Sequence, residues 1–485
     1  MATEIPANEA EFTLGDVAAA CGGTLEGATA DTRVRGVCTD TRTIREGALF
    51  VALRGERTDG HEYLGVARAR GAVACVVAQD AGPSEGPRVR VQDTLAALGA
   101  LGRAALERAR TSRSIPVLAV GGAAGKTTTK ELAAAAVRAL FGQTLATRGN
   151  LNNLIGVPMT VLGLTASDRA AVIEAGTNAP GEIARLGAIL APDVSLVLNV
   201  DNEHTEGLKS LEAVAEEEGA LFAACRDSER SAVVGNLEEP YSLGQIERAH
   251  ARARRLTFGE GRAADVRLCA RASTGDGRSR ITLRVGEALV EGGAVECEVS
   301  LGLLGPGPAI DAAAALCAAL ALLGAKASEA QVLAAARAME SVEPVAGRLV
   351  PRIHASGALV LDDTYNANPR SLRASVDAAA ELAKDRGGAL RVLLADMLEL
   401  GDLGPALHRE ARELVEARGA ASVCVVGPLC AEAFGADRSA ATPEEAASRV
   451  AAVWSSRDVV LVKGSRGMKM ERAVAALWAS VAPAR

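Results

Sequence analysis

Gly122, Gly125, Lys126 and Thr127 fall in the spacing G-x-x-G-K-T, a spacing able to hold phosphate. Glycine turns a chain without a Cβ penalty. Loop N–H groups that run into a helix N-terminus then face an anion. Ala123, Ala124 and Thr128 complete the loop, Lys126 adds a positive charge, and the Thr127 hydroxyl is placed to ligate Mg²⁺. The loop is two residues shorter than the general G-x-x-x-x-G-K-[ST] form. Further on, an apolar run over 171–174 ends on the carboxylate of Glu174. Ligands of open α/β sheets bind beyond the carboxyl ends of strands, so Glu174 is a second candidate for Mg²⁺. Asn150, Asn152 and Asn153 crowd a polar, turn-rich segment, where side-chain amides would surround substrate and phosphate.

The elements that must position these groups follow from pattern. Residues 115–120 are a short apolar run and predict a buried parallel strand. Residues 126–141 are rich in Ala and Leu and predict a helix stopped by Gly142. The run 194–200 predicts a strand leading toward His204, and Ser210 predicts a cap for a helix over 211–225 that carries Glu216, Glu217 and Glu218. A strand at 360–363 ends in Asp363 and turns through Tyr365, Asn366 and Asn368. Strands at 422–426 and 459–462 alternate with helical stretches, which predicts a doubly wound parallel sheet. Near the N-terminus a helix is expected over 12–21, a strand over 48–53 and a helix over 62–70.

At 485 residues the chain should hold about three domains. Hydrophobic residues make up 49% and charged residues 23%, a globular balance, and with 2% aromatics the core must be built from Ala, Val and Leu. A net charge of −7 gives no reason to expect a nucleic-acid partner. No apolar run reaches membrane-spanning length, and no signal pattern opens the chain. Nine cysteines without a C-x-x-C pair fit a reducing compartment, so a cytoplasmic enzyme is expected.

The short phosphate loop resembles that of the Mur ligases, the ATP-dependent amide-forming enzymes of peptidoglycan synthesis. The resemblance runs through the chain. Thr39-Asp40-Thr41-Arg42 and the later Gly-Glu-Arg-Thr-Asp59-Gly-His61 resemble the family's UDP-sugar-binding domain, where an Arg and backbone donors suit a diphosphate. The segment from Thr147 to Pro158 is similar to T-x-G-N-x-N-N-x-I-G-x-P, and Asp362 to Pro369 to D-D-[ST]-Y-N-A-N-P, both of the dipeptide-adding member. The resemblance implies three domains: a smaller N-terminal α/β domain over 1–112, a central P-loop-type, mostly parallel sheet flanked by helices over 113–344, and a C-terminal doubly wound α/β domain over 345–485. It implies ATP and Mg²⁺, with UDP-N-acetylmuramoyl-tripeptide and D-alanyl-D-alanine as partners and a monomer as the working unit. It makes His204 a metal ligand, sends Arg348 of Gly347-Arg348 to the ATP phosphates, and brings Asp363 to the nucleotide. Lys126, Glu174, His204 and Arg348 become the catalytic set. Thr41, Arg42, Asp59, His61, Asn150, Asn152, Asn153, Tyr365, Asn366 and Asn368 become the substrate contacts.

Two places depart from the family pattern. A lysine that becomes carbamoylated and serves a second Mg²⁺ is replaced by Glu218. Glu218 is either a permanent carboxylate ligand or part of an exposed helix face. The nucleotide-contacting G-x-H-N-x-x-N-A is replaced by Gly305 to Ala312, with Gly307, Pro308 and Asp311 at the His and Asn places. A sibling ligase adding another amino acid, a folate polyglutamylating relative, and a homologue that has lost catalysis are the alternatives.

Overall fold

Three sheets of five or more strands succeed one another in the computed structural model, which describes residues 3–55, 58–82, 86–201, 210–274, 277–398 and 400–479. The first has five short strands in the spatial order Thr24–Glu26, Arg88–Val91, Ala74–Ala78, Leu49–Val51, Val37–Cys38; the outermost, Thr24–Glu26, is antiparallel and the rest are parallel. The helix expected from residue 12 begins at Leu14, because Thr13 caps it reciprocally with Asp16 and Phe12 belongs to the strand Glu11–Thr13.

The second sheet carries the phosphate loop. From one edge it runs Thr144–Ala146, Ala170–Glu174, Val117–Gly121, Val194–Val197, Ala232–Asn236, Arg254–Gly259 and Val266–Ser273, all parallel. Every residue of Val117–Gly121 and Ala170–Glu174 is buried, as strands covered by helices on both faces must be. Two antiparallel strands, Ser279–Val285 and Val295–Leu301, extend the sheet. Their alternation, with Ile281, Leu283 and Val285 buried and Arg280 and Arg284 exposed, marks a face open to water.

The third sheet runs Val350–Ile353, Leu359–Asp363, Val459–Lys463, Leu390–Ala395, Ser422–Val426, Ser439–Ala440, with only the first strand antiparallel. Between the second and third sheets lies the helix Pro306–Ala321. Pro306 occupies its first turn, where a missing N–H costs nothing, and Gly305 precedes it. Leu304, just ahead of it, already packs in the core of the third sheet. Among the described residues no helix is long and apolar enough to cross a membrane, and all nine cysteines are free.

The first sheet is tied to the second by the helix Thr94–Arg113, which packs on the helix Gly156–Leu162 that follows the asparagine segment. Gly102 makes this approach possible, since a Cβ there would lie 2.8 Å from Pro158 Cβ and 2.9 Å from its Cα. Gly102→Ala should therefore overpack the joint by about 1–3 kcal/mol. Calorimetry should record an apparent unfolding midpoint several degrees lower, at about 2–4 °C per kcal/mol. An unchanged midpoint would mean that this helix pair is not tightly seated.

Candidate active site

The phosphate loop is made by close backbone approach. Gly122 has φ +119° and Gly125 has φ +89°, conformations that favour glycine. A Cβ on Gly122 would stand 2.9 Å from the Leu198 nitrogen, and one on Gly125 would stand 2.6 Å from Asp311 Oδ1. Asn199, at the exit of Val194–Val197, receives the Ala124 N–H at 2.8 Å and donates to the Ala124 carbonyl at 2.9 Å. Its own carbonyl receives the Ala123 N–H at 3.0 Å. Sequence reasoning missed Asn199; its place two residues past a central strand, beside the glycine loop, was the available signal. Lys126 Nζ donates to the carbonyls of Gly122, at 2.5 Å, and Ala123, at 2.9 Å, so the ammonium lies against the loop it is meant to charge.

Glu174 stands beside Val120 in the parallel register, which sets its carboxylate next to this loop. Its Oε1 accepts from Asn152 Nδ2 at 2.8 Å and from Thr127 Oγ1 at 3.3 Å. Among the described residues its buried Oε2 has no hydrogen-bond partner. A buried carboxylate oxygen left unpaired is costly, and beside a hydroxyl it is a fitting donor for a hard cation. Thr127 and Glu174 thus fit the expected Mg²⁺. His204 lies outside the described residues.

The three glutamates of the helix Leu211–Ala223 separate. Glu216 is exposed, while Glu217 and Glu218 are buried. Glu217 caps the helix Glu182–Leu190, accepting the Ile183 and Gly181 N–H groups at 2.7 Å each. Glu218 Oε2 accepts the Gly122 N–H at 2.7 Å, placing its carboxylate against the start of the phosphate loop rather than on a solvated face.

Facing the loop across a cavity of about 500 Å³ is the carboxyl edge of the third sheet. Asp363 and Lys463 are register neighbours and form a buried pair at 2.6 Å. Asp363 also accepts from Ser375 Oγ at 2.5 Å and the Leu349 N–H at 3.1 Å. That last bond anchors the Gly347-Arg348-Leu349 turn, in which Leu349 holds φ +51°. Such a conformation in a bulky residue is strain that the surroundings impose. Arg348 stacks its guanidinium 4.5 Å from the Tyr365 ring centroid, and among the described residues its buried Nε has no partner. The cavity gathers the phosphate loop, Asn150, Asn152, Asn153, Glu174, Arg348, Asp363, Tyr365, Asn366 and Asn368.

Several predicted contacts also hold local structure. Asn153 Oδ1 caps the helix Gly156–Leu162 by receiving the Ile155 and Gly156 N–H groups. Asn368 Oδ1 caps Pro369–Asp385 through the Ser371 N–H at 2.7 Å. The N-terminal residues Thr41, Arg42, Asp59 and His61 lie outside the cavity lining. His61 has both ring nitrogens engaged, Nδ1 with Asp59 Oδ1 at 2.6 Å and Nε2 accepting the Ala78 N–H at 2.9 Å, so it pins its loop to a strand. Arg42 is exposed and pairs with Asp40 at 2.6 Å, and its hydrogen bonds hold the Asp40 carboxyl below the usual range.

Models of the Mur ligase family match the chain in order: the family's catalytic domain over 33–106, the middle domain over 120–319, and the glutamate ligase domain over 347–466. The UDP-N-acetylmuramoyl-tripeptide–D-alanyl-D-alanine ligase of Escherichia coli K12 is 34% identical over 473 residues, covering 96% of this chain and 98% of that one. The ligase of the same name from Bacillus subtilis 168 is 30% identical over 454 residues, covering 91% and 93%. Among solved structures, MurF from Acinetobacter baumannii superposes with a TM-score of 0.85 at 28% identity, covering 98% of this chain and all of that one. A MurF ligase from Thermotoga maritima in complex with ADP gives 0.78 at 26% identity, covering 91% and 97%. Sheet for sheet and nearly end to end, the chain belongs to the Mur ligase family.

Proposed function

We propose that this Mur ligase joins D-alanyl-D-alanine to UDP-N-acetylmuramoyl-tripeptide at the expense of ATP, in the cytoplasm. The observation that carries the reading is the single cavity in which the phosphate loop meets Arg348 and the Tyr365–Asn368 turn. The relatives' shared name supplies the substrates. A terminal carboxylate oxygen of the tripeptide attacks the γ-phosphorus, the bond to the bridging oxygen breaks, and ADP leaves. The dipeptide amine then attacks the acyl carbon, the C–N bond forms with loss of a proton, and phosphate departs with the C–O electrons. Lys126 and Arg348 neutralise charge that shifts along the phosphates, where preorganised donors act most strongly. Mg²⁺, when bound, would supply further neutralisation, held by Thr127 and Glu174 with His204 and Glu218 completing the set. Asp363 orients the nucleotide side of the third domain through Lys463 and the Arg348 turn. Asn150, Asn152, Asn153, Tyr365, Asn366 and Asn368 contact substrate, and Thr41, Arg42, Asp59 and His61 shape the UDP-sugar end.

Phosphate release from ATP should require both the UDP-tripeptide and D-alanyl-D-alanine; release independent of the dipeptide would overturn the reading. Lys126→Ala should lower turnover about 10²-fold or more, as loss of a transition-state donor does. A variant that keeps half of wild-type turnover would exclude this loop from the chemistry.

Glu218 gives a sharper test. Glu218→Gln retains an acceptor for the Gly122 N–H but removes the charge. If the charge serves the metal, the Mg²⁺ concentration needed for half-maximal rate should rise severalfold in this variant, while Glu216→Gln leaves it unchanged. Activity should also be indifferent to bicarbonate, because no carbamate must form. Normal Mg²⁺ dependence in Glu218→Gln would reduce Glu218 to a support of the loop.

A further inference from the structure

Asp311 is a carboxyl group where a polyanion must sit. It lies on the second turn of the helix Pro306–Ala321, is buried, and lines the cavity beside the phosphate loop. Its Oδ1 would be 2.6 Å from a Cβ on Gly125, the residue that opens the phosphate-binding helix. Thr129 Oγ1 is buried, has no hydrogen-bond partner among the described residues, and lies near enough to pull on the Asp311 carboxyl. An ionised carboxylate at this place would oppose the phosphates through a medium of low dielectric, where like charges repel strongly. A neutral carboxylic acid instead offers an O–H donor and a carbonyl acceptor, the same pair of capacities as an amide.

We propose that Asp311 binds the nucleotide as a neutral carboxylic acid, donating a hydrogen bond to an oxygen of the nucleotide seated on the phosphate loop, so that nucleotide binding at alkaline pH takes up a proton. The inference rests on the proposed ATP site. Burial supports it, pushing the Asp311 carboxyl up to about 8, against the weaker opposing pull of the Thr129 hydroxyl and the Arg370 and Arg348 charges. The other charged groups sharing the cavity are Lys126 and Glu174 from the central sheet and Asp363 and Lys463 from the third. Lys463 and Asp363 are paired with each other, and the phosphate-binding helix adds the Lys130–Glu131 pair. A raised carboxyl is protonated below its folded value and loses its proton as pH climbs through it. Binding therefore holds up to about pH 8 and weakens above.

The test is calorimetric titration of the full chain with ADP and Mg²⁺ between pH 7.5 and 9.5, in buffers of different ionisation enthalpy. If only the protonated form binds, the apparent affinity should fall about 20- to 30-fold across that range, following the competent fraction. Proton uptake should approach one per ADP at pH 9. Asp311→Asn should bind ADP with a nearly level profile and no uptake, exceeding wild type above pH 8.5. Wild-type binding without proton uptake would overturn the inference, a result that needs no variant. Equal pH profiles for wild type and Asp311→Asn, or loss of binding by the variant at all pH values, would overturn it as well. Failure of wild type to bind ADP at any pH would instead overturn the ATP site, and this inference with it.

Discussion

Neither Gly122 nor Gly125 has room for a side chain, and the site depends on that restriction. The loop between them is squeezed by the backbone at Leu198 and Asn199 on one side and by Asp311 on the other. Only at this separation can Asn199 grip Ala124 through both ends of its amide while Glu218 takes the Gly122 N–H. The loop is thus fixed before any phosphate arrives, and what is fixed is a row of backbone donors at a helix N-terminus. Binding then spends little on ordering the loop, because three neighbouring elements already hold it.

The opposite wall is built on one buried ion pair. Two charges taken out of water are costly unless further hydrogen bonds satisfy them. Asp363 and Lys463 meet that condition. Ser375 and the Leu349 N–H serve the carboxylate, and the Asn366 carbonyl serves the ammonium at 3.0 Å. The pair therefore does more than join two strands. It draws the Arg348 turn and the Tyr365–Asn368 turn onto the same strand ends, and leaves Arg348 stacked on Tyr365 with its buried Nε unpaired among the described residues. A second lacing runs beside it. Ser465 donates to the Ala367 carbonyl and receives the Leu398 N–H, while His408 receives the Met397 N–H and donates to the Gly404 carbonyl.

Much of this was legible in the residues. The buried strand before the loop, the helix Lys126–Phe141, Ser210 as a cap and the carboxylate of Glu174 at a strand end follow from apolar runs, caps and chain direction. Local chemistry hid the rest. Asn153, Asn368 and His61 sit in family motifs, yet their polar atoms also close helix ends or pin a loop, since unpaired backbone groups at such places claim the nearest acceptor. Glu217 and Glu218 belong to a run of like charges, and nothing in the run reveals that two of three turn inward. Which one meets Gly122 depends on how the helix Leu211–Ala223 is rotated against the sheet, a tertiary fact. Asn199 was missed because its role is entirely across the fold.

The placement of Asp311 shows how composition reaches the site. The helices Lys126–Phe141 and Pro306–Ala321 pack on each other, and both are rich in buried alanine, with Ala133, Ala134 and Ala136 on one and Ala309 and Ala312 to Ala315 on the other joining the same core. The distance between packed helices is set by the side chains at the contact. Alanine therefore lets these two come close, and a chain poor in aromatics has this means of making a dense core. That proximity carries the second turn of one helix to the first residue before the other, which is where Asp311 meets Gly125. The carboxyl is consequently buried by helix packing rather than by its own preferences, and the same contact that tightens the core decides which protonation state faces the phosphate loop.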